Sequence, residues 1–132
     1  MILLDTHALY WLATGDKKLG RTSRARIDQA LAADKLAVSA ISFWELAMLA
    51  SKKRIEANDI EEMRRIALES GIIELPLDGP AAILAAQLDS DHKDPADRFI
   101  AATALRHRAT LVTADERLLA GLPRLTFQDA RK

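Results

Sequence analysis

An α/β fold with a mostly parallel central sheet flanked by helices is the architecture this sequence predicts, and three features predict it. MILLD at the start and TLVT near the end are unbroken apolar runs, the character of strands covered on both faces. Segments with helical apolar spacing separate such runs. Strand followed by helix, repeated along the chain, gives parallel strands joined by right-handed crossovers.

MILLD leads into a helix through about Leu12, with a turn at Gly15 and Asp16. The next helix runs from Ser23 towards Ala33 and carries Ile27 and Leu31, four apart, on one face. KLAVS is the second strand, and ISFWELAMLASKK is the helix after it. Asn58 and Asp59 open a helix with Ile60, Met63 and Leu68, which Gly71 ends. GIIELPL is the third strand, and DGPAAILAAQLD, with Pro80 near its start, the following helix. PADRFIAATALRHR starts with Pro95 at its first position and Asp94 before it. TLVT, a short helix DERLLAG and strand RLTF complete the chain. No internal repeat, linker or low-complexity segment interrupts it.

At 132 residues the chain has the length of a single domain, 1–132, able to bury about two-thirds of its unfolded surface. It has no cysteine, so disulfides and thiol chemistry are excluded and a reducing cytoplasm is the expected compartment. The N-terminal apolar run is too short for a signal peptide and lacks a basic flank, and no run approaches membrane length, so no membrane partner is expected. Formal net charge is zero. The basic residues are nevertheless grouped: Lys17, Lys18, Arg21, Arg24 and Arg26, then Lys52, Lys53 and Arg54, then Arg106 and Arg108 around His107. Each group reads first as a solvated face or helix-end charge, and a nucleic-acid track built from them would be short and local.

The acidic residues are more informative. All strands of a parallel sheet end on one edge, where α/β proteins place their ligands, so Asp5 at the end of MILLD and Asp115 after TLVT should be spatial neighbours. At about 100° per residue, Glu45 shares a stripe with Ile41, Met48 and Leu49, and Asp97 shares one with Ile100, Ala101, Ala104 and Leu105. Both carboxylates then point inward. Taken singly, Asp5, Asp94 and Asp115 read as helix N-caps and Asp97 as a complement to the helix dipole. Capping and ligation place these groups on the same edge, but only ligation accounts for Glu45, since Glu is almost never buried without a partner.

Like charges about 4 Å apart repel by about 1 kcal/mol in water and about 4 kcal/mol at an effective dielectric near 20, so such a cluster calls for a cation. The chain has no His/Cys set with zinc spacing, and His7, His92 and His107 read as surface or capping groups. Oxygen-only donors point to a hard cation, Mg²⁺ or Mn²⁺. Mg²⁺ is typically held by one or two carboxylates plus substrate phosphates, which makes a phosphodiester the natural substrate.

LLDTHAL, the Glu of SFWELA, DPADRFIAATA and LVTADERL resemble, in order and spacing, the four signatures of PIN-domain nucleases, and within them the VapC-type toxins of bacterial toxin–antitoxin pairs. The resemblance spans essentially the whole chain and implies a PIN-like three-layer sandwich. It implies that Asp5, Glu45 and Asp97 bind metal, that Asp115 acts through water, and that Asp94 supports them as part of a DPxDR variant of the third motif. Thr6 and Thr113 match hydroxyl positions that would hydrogen-bond a ligand or a water on the metal. The implied activity is Mg²⁺-dependent, endoribonucleolytic hydrolysis of RNA by a homodimeric toxin, inhibited by a cognate antitoxin whose C-terminal segment lies near the acids. Trp11, Phe43, Trp44, Met48 and Leu49 read as core, while some of them, with the helix after Asn58, can form a partner groove or dimer face.

A non-catalytic PIN-fold interaction module and an RNA-processing nuclease outside a toxin–antitoxin system are the alternatives. A module would be expected to have lost an acid, and none is missing. A phosphoryl-accepting receiver needs adjacent acids after its first strand and a Lys after its last, and a haloacid-dehalogenase-type phosphatase needs an Asp where His7 stands; this chain has neither.

Overall fold

The computed structural model describes residues 1–57, 59–88, 94–117, 122 and 124–132. Five strands, β1 (Ile2–Leu4), β2 (Leu36–Ser39), β3 (Ile73–Leu75), β4 (Thr110–Thr113) and β5 (Phe127–Asp129), form one sheet in the order β3-β2-β1-β4-β5. Every described pairing is parallel. Leu4 is in register with both Val38 and Val112, so β1, β2 and β4 release the chain at one level of the same edge.

The helices among the described residues are α1 (Thr6–Thr14), α2 (Arg21–Ala32), α3 (Ala40–Ser51), α4 (Ile60–Glu69), α5 (Gly79–Gln87) and α6 (Pro95–Arg106). Alternation along β1 assigns them to layers. Ile2 and Leu4 face one core with Leu9, Ile27, Leu46 and Ile72. Leu3 faces the other, with Ala85, Ile100, Ala101 and Ala104. Both faces of the sheet are therefore covered, which is why its strands lack polar alternation. Burying a leucine completely, as at Leu3 and Leu4, contributes about 1.5–3 kcal/mol.

Several boundaries differ from expectation, each for a local reason. α1 continues past Leu12 to Thr14 and stops at Gly15, whose φ of 67° is the left-handed conformation that glycine adopts freely. α2 begins at Arg21 rather than Ser23, and its N-cap Gly20 makes no side-chain cap. Tertiary bonds fix that start instead: Gly20 N donates to Ala130 O at 2.8 Å and Thr22 N to Lys132 O at 2.7 Å. The last strand is not RLTF but Phe127–Asp129, because pairing with β4 in the register Leu111–Phe127 sets its extent.

Trp44 is not core. The inward stripe of α3 runs through Ser42, Glu45 and Leu46, leaving Trp44 on the outer face at 53% exposure. Trp11 and Phe43 are buried, and Met48 and Leu49 half-buried. Most of the DERLLAG helix, together with Asn58, His92 and Lys93, lies outside the described residues. No described helix is long and apolar enough to cross a membrane.

Candidate active site

Asp5 is the first residue beyond β1, and its backbone N donates to Val112 O at 3.0 Å, which fixes it against β4. Its Oδ1 caps α1 by accepting from Ala8 N at 2.8 Å. Its Oδ2 accepts from the Thr113 hydroxyl at 2.5 Å. Only 5% of Asp5 is exposed, and this burial raises its pKa above the usual carboxylate range, against the opposing pull of the Thr113 and Ala8 bonds. Thr113 serves a second acid as well, since its Oγ1 accepts from Asp115 N at 3.1 Å. The Asp115 carboxylate in turn accepts from Arg117 N at 2.9 Å.

Glu45 reaches the same edge from α3, whose N-cap Ser39 ends β2 and accepts from Ile41 N at 3.2 Å. It is 8% exposed and has no hydrogen-bond or ion-pair partner among the described residues. Its open side is a cleft of about 350 Å³ that Asp5, Asp94, Asp97 and Asp115 also line. Asp94 caps α6 by accepting from Ala96 N at 3.0 Å, with Asp97 in the first turn behind it. One carboxylate oxygen from each of Glu45, Asp94 and Asp97 lies within 4.8 Å of the others. Asp97 records the crowding: burial first, then the charges of Asp94, Glu45, Asp115 and Asp5, push its pKa up to about 8.

All four acids expected at the site thus border one cleft, with Asp94 in the tightest trio beside Glu45 and Asp97. Capping and clustering coexist at Asp5 and Asp94, as the parallel-sheet geometry requires. Thr6 is different. Its hydroxyl is buried and donates to Ser42 Oγ at 3.2 Å, tying α1 to α3. The donor set is oxygen only and includes a buried glutamate without a hydrogen-bond or ion-pair partner among the described residues, which suits a hard divalent cation.

His7, Trp11, Arg117 and Arg131 also line the cleft. Sequence reasoning assigned no role there to Arg131 because it ended the last strand at Phe127. With β5 ending at Asp129, Arg131 falls at the same edge as the acids, so the strand boundary was the missing signal. A second groove of about 520 Å³ shares His7 and Trp11 with the cleft and is lined by Lys18, Lys53 and Arg54. Arg24 is used otherwise, bracing the loop after α1 through Asp16 O at 2.5 Å and Leu19 O at 3.0 Å. Leu9, Leu12, Leu31, Met63, Ile66 and Ile72 border an apolar groove of about 490 Å³ between α1, α2 and α4.

The PIN domain family matches residues 2–123. The chain is 36% identical over 126 residues to Ribonuclease VapC22 of Mycobacterium tuberculosis, an alignment covering 89% of this chain and 88% of that protein. A toxin–antitoxin complex from Klebsiella pneumoniae contains a similar chain, at 28% identity and a TM-score of 0.63, covering 96% of each. The DNA-bound VapBC of Salmonella typhimurium shares the fold at 20% identity and a TM-score of 0.71, covering 97% of this chain and 96% of that one.

Proposed function

The chain belongs to the PIN-domain family, and on that premise we propose that it is a metal-dependent endoribonuclease and the toxin of a VapBC-type pair. One observation carries this reading: five carboxylates border one cleft, and one of the two buried ones, Glu45, has no hydrogen-bond or ion-pair partner among the described residues. Asp5, Glu45 and Asp97, with Asp94 and Asp115 beside them, would hold Mg²⁺ or Mn²⁺. Such an ion, when bound, supplies a water of lowered pKa and stabilises charge on the attacking and leaving oxygens of the phosphodiester.

The protein's own contribution is positioning. Thr113 orients Asp5 through its hydroxyl proton and Asp115 through its oxygen. Asp97, with a pKa of about 8 in the free chain, must release its proton before it can hold a cation. Lys18, Lys53 and Arg54 outnumber Asp16 and Glu56 in the adjoining groove and would give a short RNA backbone a cationic side to lie against. No side chain has to act as nucleophile.

An antitoxin is the proposed regulator. The similarity to a chain of the Klebsiella pneumoniae toxin–antitoxin complex supports this partner, and the apolar groove between α1, α2 and α4 suits the apolar face of a helix. Homodimerisation would cover exposed apolar residues such as Trp44, Leu77 and Ile83. We place the protein in the cytoplasm as a single domain, 1–132.

The test is cleavage of RNA by the purified chain in Mg²⁺ or Mn²⁺. Activity should vanish on chelation and in Asp5→Asn, which keeps the side-chain shape but removes the charge. Full activity of Asp5→Asn in Mg²⁺ contradicts the proposed site.

A further inference from the structure

A cleft bordered by five carboxylates repels the phosphates of the substrate it is proposed to cut. Two guanidinium groups also line it. Arg117 is spent on an acid, 3.7 Å from Asp115 Oδ1, and its side chain is 73% exposed. Arg131 is arranged differently. Its guanidinium carbon sits 5.6 Å from the Trp11 ring centroid, and its Nη1 donates to Ala114 O at 2.8 Å. No carboxylate among the described residues forms an ion pair with it.

The segment that carries Arg131 is fixed on two sides. Ala130 N donates to Thr113 O at 2.8 Å, joining the tail to the strand end that orients Asp5 and Asp115. Ala130 O and Lys132 O accept from Gly20 N and Thr22 N, and Ser23 Oγ donates to Asp129 O at 2.9 Å. A cation–π contact and one carbonyl bond hold the guanidinium, and among the described residues most of its five N–H donors are unused. Such a pre-set fork suits a phosphate, which accepts two parallel N–H bonds.

Building on the ribonuclease reading, we propose that Arg131, held over Trp11 by a cation–π contact, is a substrate contact that binds the non-bridging phosphate oxygens of the RNA backbone beside the acid cluster. Trp11 is its platform and Ala114 O its tether. Arg131 thereby offsets part of the negative charge that RNA meets on entering the cleft.

Single-turnover cleavage of a short single-stranded RNA in Mg²⁺, run at increasing KCl, tests this. The parent chain is compared with Arg131→Gln, Arg131→Lys and Lys35→Gln, the last an exposed charge before β2 at the opposite edge of the sheet. Arg131→Gln should raise the half-saturating enzyme concentration roughly tenfold at low salt and shrink its logarithmic salt slope by about 0.7, one phosphate contact on a single strand. Arg131→Lys should keep the slope but lose part of the affinity, because an ammonium cannot reproduce the fork. Lys35→Gln should change neither. An active chain in which Arg131→Gln behaves like Lys35→Gln overturns the proposal. So does a lowered melting temperature in both Arg131 variants with the salt slope unmoved, because Arg131 would then be only a tail staple. A chain that cleaves no RNA in either metal overturns the ribonuclease reading, and this proposal with it.

Discussion

The Thr113 hydroxyl donates to Asp5 Oδ2 at 2.5 Å, a bond that spans 108 positions of sequence and joins the ends of β4 and β1 inside the acid cluster. A carboxylate whose burial raises its pKa is thereby held in one orientation, with its other oxygen committed to Ala8 N.

Replacing Thr113 with Val removes that donor and the acceptor for Asp115 N while keeping the β-branched shape. Unsatisfied buried groups cost about 1–3 kcal/mol each, so the variant should melt several degrees lower and cleave RNA more slowly. Thr113→Ser should recover most of both. Equal melting of Thr113→Val and the parent chain would show that the bond contributes little.

Asp97 sets a pH dependence in the metal-free protein. Its pKa is about 8 in the folded chain against an ordinary value of 3.8, so the proton favours the folded state. That contribution is complete below pH 3.8 and is lost as pH rises through about 8. Melting in chelator from about pH 5 to about pH 9 should therefore show the parent chain losing ground to Asp97→Asn as pH increases. Divalent affinity should move the other way and strengthen over the same interval, because cation and proton compete. A pH-independent difference between the two proteins would remove Asp97 from the cluster.

Gly20 lets the tail dock. A Cβ there would lie 2.3 Å from the Lys132 carbonyl carbon and 2.5 Å from that of Arg131, so backbone must move. Gly20→Ala should cost about 1–3 kcal/mol, whereas Gly79→Ala, with nothing within 4 Å of the new methyl, should be neutral or slightly stabilising. Calorimetric melting of both variants checks the contrast, and an unchanged Gly20→Ala would mean that the tail does not depend on this contact.

The groove between α1, α2 and α4 carries the regulatory part of the account. Ile66 is exposed at its rim, so Ile66→Asp should leave melting and RNA cleavage nearly unchanged while weakening co-purification with a co-expressed antitoxin. Undiminished capture and inhibition would move the partner to another surface.

Much of this was legible in the sequence because period and punctuation agreed. Apolar runs without alternation marked strands covered on both faces, and the parallel topology that follows brings Asp5 and Asp115 together whatever their separation along the chain. Glu45 was legible as an inward polar residue in an apolar helix. Other features depend on tertiary contacts that no local pattern encodes. Trp44 lies outside because the inward face of α3 is chosen by Ser42, Glu45 and Leu46, not by side-chain size. The start of α2 is fixed by the C-terminal tail rather than by a capping side chain. Arg131 came into view only when pairing with β4 moved the last strand to Asp129.

Everything else depends on these carboxylates holding a divalent cation, and a metal titration of melting temperature, parent chain against Asp97→Asn, measures that without a substrate. In chelator at about pH 9, where Asp97 is ionised, the Asn variant should melt higher by a few degrees, relieved of like-charge repulsion worth about 1 kcal/mol or more. Mg²⁺ or Mn²⁺ binds the folded state only, so rising concentration should lift the parent chain steadily and the variant much less, until the curves meet or cross. A parent chain that does not respond to either ion, or a variant that responds equally, would contradict the metal site.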